Sequence, residues 1–470
     1  MRLRVISLLV CLAPVLTASA DTIHLKNGRT IVADRVRENG NRYEYEIGED
    51  SYAIPKSAVD RVDAGGMPTH SSGTSKLSDL PSFTPADTLA NEGDLVGKIV
   101  KEGKVDTDAV SSLEAKGNSE LSATADFIAG KFELEHGNIT RSRQYLENAL
   151  RFQPDSSTIL TYYSALLVRT GNASQALPYA QRAVQTGPTS PDAYAMLGYA
   201  QFASDHTKDA IASWKRSLEL RPDPAVQRLL AKAEREQTAE TDFAQNESSH
   251  FVLHYEGHQT TDALRAQILA TLEADYEDLV RDLGTPPRDN ILVNLYTETA
   301  FFDVTQAPNW AGAIYDGKLR IPISGLTTVT SELARVLKHE LSHAFIAKLS
   351  GGRCPPWLQE GVAQFLEPKS LGGNGHQLAL LFKSQQNIPL NMLESSFTRL
   401  SGARASLAYA ESLAAVSYIN DSYGLSDVQR ILELLSQGNS TEAALRATIH
   451  SDYGQLESDL TRYLADKYGD

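Results

Sequence analysis

The five residues His339-Glu340-Leu341-Ser342-His343 concentrate more ligand and acid–base chemistry than any other stretch of the chain. On a helix, side chains four apart lie one turn from each other on one face, the spacing at which two imidazoles can hold a single zinc ion. Zinc accepts neutral nitrogen donors and favours a tetrahedron, so a third protein ligand should come from elsewhere, with water in the fourth place. The candidate is Glu360. It stands in Pro355-Pro356-Trp357-Leu358-Gln359-Glu360-Gly361-Val362-Ala363, where proline begins a helix and Gly361 would permit close approach to the zinc helix. Glu340 should not bind the metal; it points toward the water site, where a carboxylate can take a proton from water whose pKa the metal has lowered to about 7. It can then pass that proton to a leaving nitrogen. The chemistry implied is amide hydrolysis. Two histidines and a glutamate on an apolar helix face would also be costly to bury without a partner, and a metal ion supplies one.

At these residues the chain resembles the gluzincin metallopeptidases, most closely the peptidase MA-like families. The resemblance covers roughly residues 248–470, and rests on His339 to His343, Trp357 to Ala363, and Leu407-Ala408-Tyr409-Ala410-Glu411-Ser412. It implies a zinc metallopeptidase with one ion on His339, His343 and Glu360, Glu340 as general base, and a peptide or protein substrate. In such families a later tyrosine often stabilises the oxyanion; Tyr409 is the matching position, with packing of the C-terminal helices as its alternative role and Tyr418 as the next candidate. Gluzincins often place an acidic group four residues after the third ligand to orient a histidine. Gln364 stands there instead, and its amide oxygen could accept a ring N–H while raising ligand basicity less. The corresponding edge strand of gluzincins pairs with the substrate backbone; here that is the hairpin Gly312 to Ile323, for which a plain edge hairpin is the alternative.

The elements that must position this site form an α+β pattern. Residues His250 to Tyr255 read as a strand, Asp262 to Leu283 as an amphipathic helix and Ile291 to Tyr296 as a second strand. The hairpin turns at Asp316-Gly317, and a long helix from about Thr328 to Leu349 carries the histidines.

Upstream, the chain repeats itself. Pro154, Pro188 and Pro222 are 34 residues apart, as are Gly137, Gly171 and Asp205, and Ala149, Ala183 and Ser217. Period and residue types resemble tetratricopeptide repeats, with Leu197-Gly198, Ala210 and Trp214 in the helix-packing places. An α-helical solenoid is expected over residues 89–236, clear over about 123–224, with a degenerate unit beginning near Leu89. The resemblance implies a protein partner; Tyr194 and Trp214 could line a groove for it or pack between helices. Residues 21–63 read as a small all-β module of short alternating strands, and 64–88 as a flexible linker.

Residues 1–20 have the form of a secretory signal: Arg2 and Arg4, an apolar run from Val5 to Leu16, then Ala18-Ser19-Ala20. A spanning anchor needs about 20 apolar residues, more than this run supplies. An exported protein, periplasmic or secreted, is expected, with no transmembrane segment after cleavage. Cys354 alone would then remain, so packing rather than a disulfide must hold the fold.

The 470 residues call for several domains. An excess of 59 acidic over 44 basic residues, net −15, argues against nucleic-acid binding. His250, His254 and His258 do not make a second metal site, because on a strand the first two lie about 13 Å apart. Residues Gly93 to Lys98 lack the length and the hydroxyl residue of a phosphate loop. Two other functions fit the same motif: a periplasmic tetratricopeptide scaffold with a vestigial or structural zinc site, and zinc-dependent hydrolysis of a non-peptide amide. The first would close its metal with a fourth protein ligand, and Glu340 would have no task.

Overall fold

A computed structural model describes residues 21–26, 30–33, 35–40, 42–47, 50–63, 85–307, 312–323, 325–367, 369–372, 374–397, 400 and 402–469. The signal-like segment, most of the 64–88 linker and the Asn27-Gly28 turn lie outside them. The chain divides into two compact units, one of residues 1–69 with 400–406 and one of the remainder.

In the first unit, strands β1 (Asp21–Leu25), β2 (Thr30–Ala33), β3 (Arg35–Asn39), β4 (Arg42–Ile47), β5 (Asp50–Pro55) and β6 (Val59–Asp63) form two antiparallel sheets, β2-β1-β6 and β3-β4-β5. Strands β3 and β6 escape the sequence pattern because charged residues dominate both. Ile23 and Val59 are buried, a thin core for so short a module.

The second unit begins with α1 (Glu92–Ile99), a hairpin of β7 (Val100–Lys101) and β8 (Lys104–Val105), and α2 (Thr107–Glu114). These occupy the place of the degenerate repeat, but each helix has only eight residues and a β-hairpin replaces the simple turn. Paired helices follow: α3 (Ser119–Glu135) with α4 (Ile139–Phe152), α5 (Ser157–Arg169) with α6 (Ala173–Thr186), α7 (Pro191–Ala203) with α8 (Thr207–Leu220), and then α9 (Pro224–Ala239). Each second helix stops two residues before Pro154, Pro188 or Pro222, as proline requires. Gly137, Gly171 and Asp205 all adopt left-handed backbone, φ +80°, +66° and +66°, at the turn between paired helices. Trp214 is fully buried beside Tyr199 and Phe202 and donates from Nε1 to the Ala195 carbonyl at 3.0 Å, so it packs helices and lines no groove. Gly198 makes room for it.

The C-terminal part adds β9 (Phe243–Glu247), β10 (Phe251–Glu256), α10 (Asp262–Leu283), β11 (Ile291–Tyr296), α11 (Glu298–Thr305), β12 (Ile314–Tyr315) and β13 (Leu319–Pro322). Their sheet has the order β12-β13-β11-β10-β9, parallel from β10 through β11 to β13 and antiparallel at both edges. Helices α12 (Ser331–Ser350), α13 (Pro356–Leu366), α14 (Asn374–Lys383), α15 (Gly402–Tyr423), α16 (Leu425–Ser436), α17 (Thr441–Ile449) and α18 (Tyr453–Tyr468) complete it.

The turns of the repeats meet this part directly. Lys348 on α12 donates to the Thr170 carbonyl and Asn172 Oδ1, and a Cβ on Gly137 would fall 1.8 Å from the Arg353 guanidinium in the α12–α13 turn. Asp205 pairs with Lys318 at 2.8 Å and with His254 at 3.2 Å. From α9, Glu236 binds Lys318 (2.5 Å) and Arg320 (2.7 Å), and Lys232 binds Asp316 (2.6 Å). His250 is taken by Glu273 at 2.7 Å and His258 is exposed, so the three upstream histidines serve separate ends.

A Cβ at position 198 would lie 2.5 Å from Trp214 Nε1. Gly198→Ala should therefore destabilise by about 1–3 kcal/mol, read as a lower urea midpoint at unchanged slope. Burial works against charge on Asp316, but Arg320 and Lys232 outweigh it and hold its pKa well below the ordinary value. That contribution is complete above the unfolded pKa of about 4 and is lost as pH falls toward the folded value. Melting temperature should drop between pH 5 and pH 3, with a shallower dependence in Asp316→Asn.

Candidate metal centre

Thr330 caps α12 by accepting from the Leu333 N–H, and Gly351, at φ +60°, ends it. Lys338 ties this helix to α10 through Asp278 at 2.9 Å. The opposite face, with His339, Glu340 and His343, is buried. Pro356 opens α13 at its first turn and Trp357, fully buried, donates to the Tyr453 hydroxyl at 3.1 Å, which fixes the helix that carries Glu360.

The crossing brings three donor atoms together. His339 Nε2 and His343 Nε2 are 3.2 Å apart, Glu360 Oε2 lies 3.4 Å from the first and Glu360 Oε1 3.8 Å from the second. Bonds of about 2.0–2.2 Å to a tetrahedral ion place neighbouring donors roughly 3.3–3.5 Å apart. His339, His343 and Glu360 could thus hold a metal ion, and their donor set fits one.

Glu340 sits beside this cluster, 2 % exposed. The Tyr315 backbone N–H on β12 hydrogen-bonds its carboxylate, while Oε2 is buried with no hydrogen-bond partner among the described residues. Such an orphaned acceptor is costly unless a ligand or water meets it. Burial opposes charge on His339, but bonding to Glu360 and Glu367 outweighs it and lifts its pKa to about 10. His343 is pushed well below its ordinary value by burial and by the charge on His339. Burial raises Glu340 to about 8, with His339 opposing and Glu360 and Glu367 reinforcing. Three buried carboxylates around two imidazoles call for positive charge, which a divalent ion meets more fully than one proton.

Two expectations about the supporting residues are corrected. Gln364 does not face a histidine: its Nε2 donates to the Tyr409 carbonyl at 2.9 Å and to the Glu360 carbonyl at 3.2 Å. The acidic neighbour is Glu367, fully buried, with Oε1 3.7 Å from His339 Nδ1. Glu367 follows Glu360 by seven residues, two helical turns on the same face, a spacing visible in the sequence. Gly361 does permit close approach, but to α15: a Cβ there would fall 2.4 Å from the Ser412 carbonyl oxygen. Tyr409 packs edge-on against Phe397, ring centres 5.3 Å apart, and Tyr418 packs edge-on against Tyr423 and Tyr463 among the last helices.

Residues 275–466 match the family model described as Peptidase MA superfamily. The chain carries a peptidase MA domain. Residues 167–233 match the tetratricopeptide repeat, so the peptidase-like domain follows a repeat region of a kind associated with protein–protein contact. Among solved structures, a MamA mutant and one titled "MamA MSR-1 C2" are each 20% identical over 28% of this chain, at 85% and 84% of their own lengths and a TM-score of 0.24. No curated protein matches.

Glu367→Gln should weaken metal affinity about 10–100-fold, measured by competition with a chelating dye, because the partner of His339 Nδ1 is altered. Gln364→Ala, which touches only carbonyls, should change it far less.

Proposed function

We propose that the protein is an exported zinc-dependent peptidase. The observation that carries this reading is the convergence of His339, His343 and Glu360, all within 4.8 Å of one another, beside a carboxylate with an unmet acceptor. When bound there, zinc would polarise the scissile carbonyl and acidify the attacking water. Glu340 accepts the proton of that water at Oε2 and delivers it to the leaving amide nitrogen; the Tyr315 N–H on its other oxygen holds the carboxylate in line for both transfers. Glu367 steadies the ring of His339 so that Nε2 faces the centre. Strand β12 ends the sheet, and an extended peptide would pair with the outer-edge groups other than the Tyr315 N–H, which Glu340 takes. The oxyanion role is proposed for Tyr409 from the resemblance; its backbone carbonyl is tied through Gln364 to the turn after Glu360.

Export rests on the composition of residues 1–20 and places the protein in the periplasm or outside the cell. No helix among the described residues is long and apolar enough to cross a membrane. The repeats are proposed to engage a protein partner or the substrate itself.

The decisive experiment is metal analysis with a peptide-library digest of the mature protein and two variants. Wild type and Glu340→Gln should each hold one zinc, and the variant should lose about 10²–10⁴-fold in cleavage. Tyr409→Phe should lower kcat at unchanged zinc content; unchanged kcat would return Tyr409 to packing. Bound zinc with no cleavage of any peptide by the wild type would overturn the peptidase reading in favour of a scaffold.

A further inference from the structure

Beyond the ladder that joins β13 to β11, the turn of the β12–β13 hairpin is gripped by the repeat region. Lys318 and Arg320 are 3 % and 0 % exposed, and the carboxylate that meets both is Glu236 of α9, itself fully buried. Arg320 also binds Asp316 Oδ1 and Oδ2 from Nε, both at 2.9 Å, and donates to the Tyr296 hydroxyl at 2.7 Å. Lys232, one helical turn before Glu236, closes on Asp316 from the array side. Asp205, at the left-handed turn between α7 and α8, meets Lys318 from a second repeat element. Immediately before Asp316 stands Tyr315, whose backbone N–H holds the Glu340 carboxylate.

A two-residue edge strand has few ladder bonds of its own: β12 pairs with β13 only at Ile314–Arg320 and Tyr315–Leu319. Its position follows that of β13, which is set on one side by the β11 ladder and the Arg320–Tyr296 hydrogen bond and on the other by the carboxylates of the repeat region. Buried ions are rigid in proportion to the partners that compensate them, because any displacement exposes an unpaired charge to a low-dielectric interior. The grip is therefore directional and supplied by α9 and the α7–α8 turn.

We infer that Glu236 and Asp205 are positioning residues for the peptidase site: through Lys318 and Arg320 they fix the hairpin whose Tyr315 N–H aims Glu340. The first partner of the repeat array is this chain's own peptidase domain, and the array acts as an internal clamp on the catalytic base. This rests on the peptidase reading for its kinetic consequence but not for its structural one. A peptidase fragment starting at Ser248 lacks the clamp.

The test uses the full mature chain with Glu236→Gln, Asp205→Asn and, as a control for general loss of stability, Glu457→Gln, which alters the carboxylate that accepts from the Leu390 N–H far from the hairpin. Asparagine tolerates the left-handed backbone of position 205, so that variant should fold even where Glu236→Gln does not. Hydrogen exchange of peptides spanning 312–323, zinc content, kcat and KM are measured. Glu236→Gln and Asp205→Asn are expected to speed hairpin exchange about tenfold, keep one zinc, and lower kcat about tenfold or more with KM changed much less. Glu457→Gln should leave hairpin exchange and kcat at wild-type values. Wild-type hairpin exchange and kcat in Asp205→Asn and in any folded Glu236→Gln would overturn the inference while leaving the peptidase reading intact. Absence of cleavage by the wild type would instead overturn that reading, and hairpin exchange alone would then decide whether the clamp exists.

Discussion

Negative charge buried around two imidazoles is the constraint from which the rest of the C-terminal architecture follows. Glu340, Glu360 and Glu367 are each at most 2 % exposed, and all surround His339 and His343. Left unmet, such a cluster would be among the most expensive features of the fold, since a buried carboxylate keeps its charge only beside a cation. The helix crossing of α12 over α13 tolerates it because donor atoms converge at spacings a tetrahedral ion can bridge. Rigidity on every side serves that convergence: Lys338 anchors α12 to α10, Trp357 anchors α13 to the last helices, and Gly361 lets α15 press against the turn that bears Glu360.

A second buried cluster lies behind the first and has the opposite logic. Around Glu236, Asp316, Asp205, Lys318, Arg320 and Lys232 three acids and three bases compensate one another, so no outside ion is required. Breaking one partner of such a pair typically costs about 3–5 kcal/mol, which makes the junction of repeats and peptidase domain stiff. The repeat region is consequently a wall of the peptidase-like domain. Its inter-helix turns, spaced by the 34-residue period, reach the α12–α13 turn, the end of α12 and the hairpin in succession.

Much of this was legible from local pattern. The histidine pair, the helix from Asp262 to Leu283 and the strand from Ile291 to Tyr296 follow from spacing and periodicity, and Glu360 as candidate third donor from its Glu-Gly-Val-Ala block and the resemblance that block carries. So do the inter-helix turns at Gly137, Gly171 and Asp205, which all prove left-handed because a period reports one local conformation repeated. Strands β3, β6 and β9 were not legible: their side chains are largely charged or polar and carry no alternation, so pairing is decided by neighbours distant in the chain. Glu367 was hidden for a different reason: it lies two turns beyond Glu360, just past the end of α13, and only the crossing of α13 with α12 brings it to His339.

The sequence by itself offered the side chains that could hold a metal, the carboxylate that could move a proton and the turns of the repeats, since these depend on residue type and on regular spacing. Only the tertiary structure decided that Gln364 turns to carbonyls and Glu367 to His339, that Gly361 faces α15, and that the repeats grip the β12–β13 hairpin. Those outcomes depend on the crossing angle of helices and on the pairing of charges 80 or so residues apart, as between Glu236 and Lys318, where |i−j| is 82. No local rule reaches so far, because the free energy that selects one pairing among many arises only when both partners lose water together.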